Sequence, residues 1–220
     1  MNYEELIQKY KKQGIEKWML DEFKLGLEKG LTIEQLKPYM NSNYDWRQIK
    51  YIRLGLEKGF DVSIYDNHQY NSQQMEEIYY GLISNVDVSL YAKPIFNYLQ
   101  MNKIRYGLYK NLNVSIYARP EFSSVQMDII SYGLEKGIDL SPYVLLGFDI
   151  CQLHEILSGL KAKLNVSLYA KIEYDFRKME QIRLYLKNGL DISYFDNDKM
   201  STNEIKKLRL YLQKRKKMNL

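Results

Sequence analysis

Few side chains in this sequence are suited to chemistry. There is one cysteine, Cys151, and there are two histidines, His68 and His154. Cys151 and His154 stand three apart on one predicted helix, close to its start, where the helix dipole would favour a thiolate. Two potential ligands do not complete a zinc site, which usually takes four, and His68 falls in a connector. All three are therefore expected to be packed or solvated side chains. No glycine-rich phosphate loop, nucleophile elbow or Cys-x-x-Cys pair appears, and the glycines follow a regular rhythm rather than clustering as GxGxxG. The sequence reads as that of a non-enzymatic protein with neither cofactor nor metal.

A second candidate chemistry is base stacking. Tyr65, Tyr91, Tyr117, Tyr143 and Tyr169 recur every 26 residues, as aromatics do in helical repeats that bind single-stranded RNA. Each sits three residues after an apolar one, a spacing that favours core packing instead. Charge points the same way. The net +5 is a C-terminal feature, because residues 199–220 hold eight basic groups against Glu204, while residues 1–198 hold 24 basic and 26 acidic groups. A groove that tracks a phosphate backbone should be basic along its length. The basic C-terminus is thus the one segment expected to touch nucleic acid, weakly and in a salt-sensitive manner.

The elements behind these residues come from a strict repeat. Gly55-Leu56, Gly81-Leu82, Gly107-Leu108, Gly133-Leu134 and Gly159-Leu160 recur every 26 residues, and Tyr185-Leu186 and Tyr211-Leu212 continue the register. Gly26-Leu27 opens an earlier, 29-residue copy. Ten residues before each pair stands a helix N-cap: Asp45, Asn71, Asn97, Ser123, Asp149, Asp175 or Ser201. Three residues after the cap comes Gln or Glu, a capping box, in every unit except at Lys178. Flanking positions such as Phe96 and Met101 are the partners of a hydrophobic staple. Met75, Ile78 and Leu82, with their equivalents, form one apolar stripe. The helices should stop at Gly59, Asn85, Asn111, Gly137 and Gly189, residues that accept a left-handed conformation; Lys163 breaks that rule.

Between helices lies a short segment such as Asp61-Val62-Ser63-Ile64-Tyr65, read as a further one- to two-turn helix. Its cap is either the Asp/Asn or the Ser, and Pro142 directly after Ser141 favours the Ser. Thr32 to Tyr39 is longer by about one turn. The expected fold is all-α: an α-solenoid of tandem 26-residue units, each one long helix plus one short helix. It would form a single domain with N-terminal capping helices over 1–25, repeats over 26–210 and a basic helix end over 211–220. A helix of about thirteen residues is marginal alone, so stability must come from stacking.

The unit Ser-x-Tyr-Ala-x-Pro-x-Phe followed by Gln-Met-x-x-Ile-x-x-Gly-Leu, over Ser115 to Leu134, resembles a short helical repeat of uncharacterised proteins from low-G+C Gram-positive bacteria and their mobile elements. The resemblance covers nearly the whole chain and implies no catalytic residues. An adaptor or inhibitor role follows by analogy alone. With 45% hydrophobic and 27% charged residues, no apolar run near the about 18 residues of a membrane span and no leader pattern, a cytoplasmic protein with no membrane contact is expected.

Function is expected where the columns vary. Two residues before each Gly-Leu or Tyr-Leu pair lie Arg53, Tyr79, Arg105, Leu157 and Arg183; two residues after the Gly lies Tyr109. Arg and Tyr are favoured interface anchors. Val144, Leu145 and Leu146 replace the usual polar connector, as either a thicker core or an exposed patch. These nine residues are the candidate protein-binding site, with a nucleic-acid-binding helical repeat as the alternative.

Overall fold

Helix starts are specified locally, and the structure, a computed structural model describing residues 3–41, 43–190 and 199–218, places them where the caps stand. Asp45, Asn71, Asn97, Ser123 and Asp149 each close a reciprocal capping box with the Gln three residues on. These boxes open α4 (Trp46–Glu57), α5 (Ser72–Ile83), α6 (Tyr98–Tyr109), α7 (Ser124–Glu135) and α9 (Ile150–Lys161). Asp175 caps α10 (Phe176–Lys187) from one side only, since Lys178 has no acceptor to return. Ahead of these lie α1 (Tyr3–Lys12), α2 (Lys17–Glu28) and α3 (Ile33–Leu36), and the chain closes with α11 (Thr202–Met218). Among the described residues there is no strand.

Each 12-residue helix is followed by a residue with positive φ: Gly30 after α2, then Gly59, Asn85, Asn111, Gly137, Lys163 and Gly189. Lys163 adopts φ 56° without the freedom of glycine, and the stop there is closed by the Leu164 amide, which donates to the Gly159 carbonyl at 3.0 Å. The short segments are single 3-10 turns at Val62–Ile64, Val88–Leu90, Val114–Ile116 and Val166–Leu168. Their cap is the Asp or Asn, not the Ser: Asp61, Asp87 and Asn165 accept from the backbone of Ser63, Ser89 and Ser167. In α8 (Ser141–Leu145) the amide of Ser141 likewise donates to Asp139, at 2.8 Å. The expected segment after Leu190 and the last two residues of the basic end lie outside the described residues.

The 3-10 turn explains the recurring glycine. A Cβ on Gly55, Gly81 or Gly159 would lie 2.0, 1.9 or 1.7 Å from the hydroxyl of Tyr65, Tyr91 or Tyr169. The tyrosine fills the space that glycine vacates, and its hydroxyl donates to a carbonyl of the same helix, Tyr65 to Tyr51 and Tyr91 to Glu77, both at 3.0 Å. Tyr65, Tyr91, Tyr117 and Tyr169 are fully buried, which removes them as a stacking ladder. Tyr143 departs from the column. There Leu140 is the fully buried residue beneath Gly133, and Tyr143 packs edge-on against Phe148 instead.

Burial pushes the phenols of these four tyrosines well above their ordinary value. Each stays protonated when folded and ionises freely only when unfolded. Their contribution is complete below pH about 10 and declines as pH rises through the folded-state value, by about 1.4 kcal/mol per tyrosine per pH unit. Thermal melts should hold steady from pH 7 to 9 and fall steeply by pH 11; a flat profile would contradict this burial.

The chain forms two compact units, Met1–Asn111 and Leu112–Leu220. In the first, α1 packs on α2, α2 on α4, α4 on α5 and α5 on α6. In the second, α7 packs on α9, α9 on α10 and α10 on α11. Two columns of the predicted stripe form the core of both, with Ile49, Ile52, Met75, Ile78, Met101 and Ile104 buried in one and Met127, Ile130, Leu153, Ile156, Met179 and Ile182 in the other; the third column, Leu82 and its equivalents, is half-buried.

Candidate functional site

The row two residues before each Gly-Leu or Tyr-Leu pair was expected to face outward, and within each unit it turns to the preceding helix instead. In the first unit Arg53 of α4 pairs with Glu22 of α2 at 2.7 Å and also with Glu57, and Arg105 of α6 pairs with Glu77 of α5 at 2.8 Å. In the second, Arg183 of α10 pairs with Glu155 of α9 at 2.6 Å, and Arg209 of α11 bonds Gln181 of α10 at 3.1 Å. The same register holds Tyr79 against Tyr51, ring centroids 5.9 Å apart, and buries both Leu157 and Ile129. The partner lies 28 residues earlier, or 31 across the longer first repeat. Variation in this row is thus matched to the neighbouring helix: ion pair, aromatic pair or apolar pair. Arg53, Tyr79 and Leu157 are buried, and Arg105 and Arg183 are largely enclosed by their acids, so the geometry gives these five a structural task.

The connector at 144–146 divides. Val144 is buried, while Leu145 and Leu146 are exposed. Cys151, His154 and His68 are exposed too, and no three His, Cys, Asp or Glu side chains converge among the described residues.

Of the candidates on the long helices, Tyr109 is the one that reaches solvent, with 62% of its surface exposed. It shares that side of the first unit with Ile83, which stands two residues after Gly81 as Tyr109 does after Gly107, and with Leu99, Tyr106 and Tyr80, which the sequence reading missed. Leu99 and Tyr106 precede it on α6, and Tyr80 and Ile83 stand on α5; each is at least 42% exposed. The two helices meet here, since the Arg105 guanidinium lies 5.9 Å above the Tyr80 ring, and at the end of α6 itself the Lys110 ammonium lies 5.6 Å above the ring of Tyr106. Below Tyr109 a shallow groove runs along Ser84, Asn85, Val86 and Asp87. Helix α6 is therefore apolar on two sides, with Met101 and Ile104 in the core and Leu99, Tyr106 and Tyr109 in water. That doubling was the available signal: an ordinary surface helix keeps one polar face. From Val88 to Asn111 the chain also carries four basic residues and no acidic one, a local bias hidden by the near-neutral total.

The last helix, α11, buries only Ile205, and the basic side chains Lys206, Lys207, Lys214, Arg215, Lys216 and Lys217 along it are exposed. Among the described residues, no helix is long and apolar enough to cross a membrane. The chain matches no family model, no curated protein and no solved structure.

Proposed function

We propose that this chain is a non-enzymatic binding scaffold, an α-solenoid of 26-residue units that recruits or blocks another protein, and that its contact side is the outer face of α5 and α6. The supporting observation is the second apolar side of α6, where Leu99, Tyr106 and Tyr109 stand in solvent beside Tyr80 and Ile83. Clustered aromatic side chains with adjacent cations are the composition of interface hot spots. Stacking on nucleobases would need aromatic faces throughout, and Leu99 and Ile83 offer none, which favours protein over the nucleic-acid alternative. The basic α11 then serves as a polar end to the stack.

The test is photo-cross-linking in cells that express the chain, with benzoylphenylalanine replacing Tyr109 in one sample and the exposed Lys29 in another. Discrete protein adducts are expected from position 109 and far fewer from position 29. Equal labelling at both positions, or adducts with nucleic acid alone, would refute the scaffold reading.

A further inference from the structure

We infer that helix α11 docks along the sugar-phosphate backbone of a nucleic acid, a contact separate from the binding side on α5 and α6 and independent of it. Three observations carry this. The first is length. Helices α4 to α7, α9 and α10 hold 12 residues each, whereas α11 holds 17. The register that sets a positive-φ stop at Gly59, Asn85, Asn111, Gly137, Lys163 and Gly189 puts Arg215 at that place in α11, and the helix runs through it to Met218. The added residues are Lys214, Arg215, Lys216, Lys217 and Met218. All five are exposed, and Lys216 alone turns back, donating to the Asn188 carbonyl at 3.1 Å. Packing on α10 does not require this extension.

The second is charge that nothing nearby cancels. Lys206, Lys207, Lys214, Arg215 and Lys217 are exposed. At about 100° per residue they spread over roughly half of the helix circumference, away from the side where Ile205 is buried and Arg209 bonds Gln181. The single acid of α11, Glu204, is held in the first turn by the amide and hydroxyl of Ser201, at 2.8 and 2.6 Å. Helix α10, which packs on α11, contains Glu180 against Arg177, Lys178, Arg183 and Lys187. Asp191, Asp196 and Asp198 lie outside the described residues; with them included, residues 175–220 still hold twelve basic groups against six acidic ones. Lys214 and Lys217, three apart on one face, repel each other, a cost that bound phosphates relieve.

The third is what the exposed side lacks. A helix that lies in a lipid surface needs a continuous apolar face. On α11 that face is spent inward, with Ile205 buried and Leu208 and Leu212 half-buried, and on the outer side Lys207 and Lys214 stand between Leu210 and Tyr211 around the helix. What remains is a row of cations running about 16 Å from Lys206 to Lys217. A DNA duplex offers one phosphate charge per about 1.7 Å of axis, so such a row meets several phosphates at once. Contacts of this kind are indifferent to base sequence.

Fluorescence anisotropy on the full chain tests the assignment with two labelled DNA duplexes of about 20 base pairs and unrelated sequence. Both are expected to bind equally at about 50 mM salt, and affinity should fall about a hundredfold by about 200 mM, the slope for about four phosphate contacts. The combined Lys214→Gln, Arg215→Gln and Lys217→Gln variant should bind at least about tenfold more weakly at the lower salt and flatten the log-log salt slope by about 2 to 3. Removing the same charge from α1, by Lys9→Gln, Lys11→Gln and Lys12→Gln at exposed positions, should change neither, which separates a local site from net charge. Circular dichroism will verify that both variants fold. No binding at about 50 mM salt, equal loss in the α1 variant, or a slope untouched by the α11 variant would overturn the proposal. So would displacement of the duplex by a poly-glutamate peptide, or by vesicles of anionic phospholipid, at matched concentrations of charge.

Discussion

Glu155→Leu is expected to destabilise the fold by about 3 kcal/mol, the lower end for breaking a buried ion pair. The Glu155–Arg183 contact is 2.6 Å, and each side chain keeps only 15% of its surface in water. Removing the carboxylate leaves a guanidinium that can neither lose its proton nor regain full solvation. The Glu155→Leu/Arg183→Leu double variant should recover most of this loss, because an apolar pair already works in that register one helix earlier, where Ile129 and Leu157 are buried. Chemical denaturation followed by circular dichroism will measure both. A double variant as unstable as the single would show that the two side chains are not matched as a pair.

Gly81→Ala sets two known effects against each other. Helical propensity favours Ala by about 1 kcal/mol. The new Cβ, however, would lie 1.9 Å from the Tyr91 hydroxyl and 2.7 Å from a methyl of Val88, in a core where Tyr91 is fully buried. Overpacking of that kind costs about 1 to 3 kcal/mol or more, and expelling the hydroxyl also forfeits its bond to the Glu77 carbonyl. The expected net effect is a loss of about 2 kcal/mol. Adding Tyr91→Phe removes the closest atom and should return about half of it. A stability gain from Gly81→Ala alone would mean that propensity governs and that the tyrosine does not require the glycine.

The helices were legible because their signals are local. Cap, staple, stripe and stop all lie within about a dozen consecutive residues, and the structure begins α4 to α7 and α9 one residue after the predicted caps. The direction of the variable row was not legible from position alone, since a residue on a packed helix can face solvent or either neighbour. A trace was present in the acid that precedes Arg105 and Arg183 by 28 residues, and the same relation between Glu22 and Arg53 is displaced to 31 by the extra turn around Thr32 to Tyr39. The exposed side of α6 escaped notice because Tyr80 and Tyr106 fall one residue from the row that drew attention. Tyr143, expected in the core with the other four tyrosines, is only half-buried, because Leu140, shorter and three residues earlier, fills the core of its unit.

The glutamine of the capping box has a second hydrogen bond that bears on how such a chain could change length. While its carbonyl oxygen closes the cap, its amide group reaches forward, Gln48 to the Tyr70 carbonyl, Gln74 to that of Phe96 and Gln152 to that of Tyr174, each at 2.7 Å. The acceptor is always backbone, so the link is indifferent to which unit comes next. A gene that lost one 26-residue copy between α4 and α6 would keep this link intact. It would nevertheless bring Arg105 opposite Tyr51 and strand it from Glu77. Lengthening or shortening is thus permitted by the backbone links and policed by the side-chain pairs, so the order of the copies is heritable information in its own right.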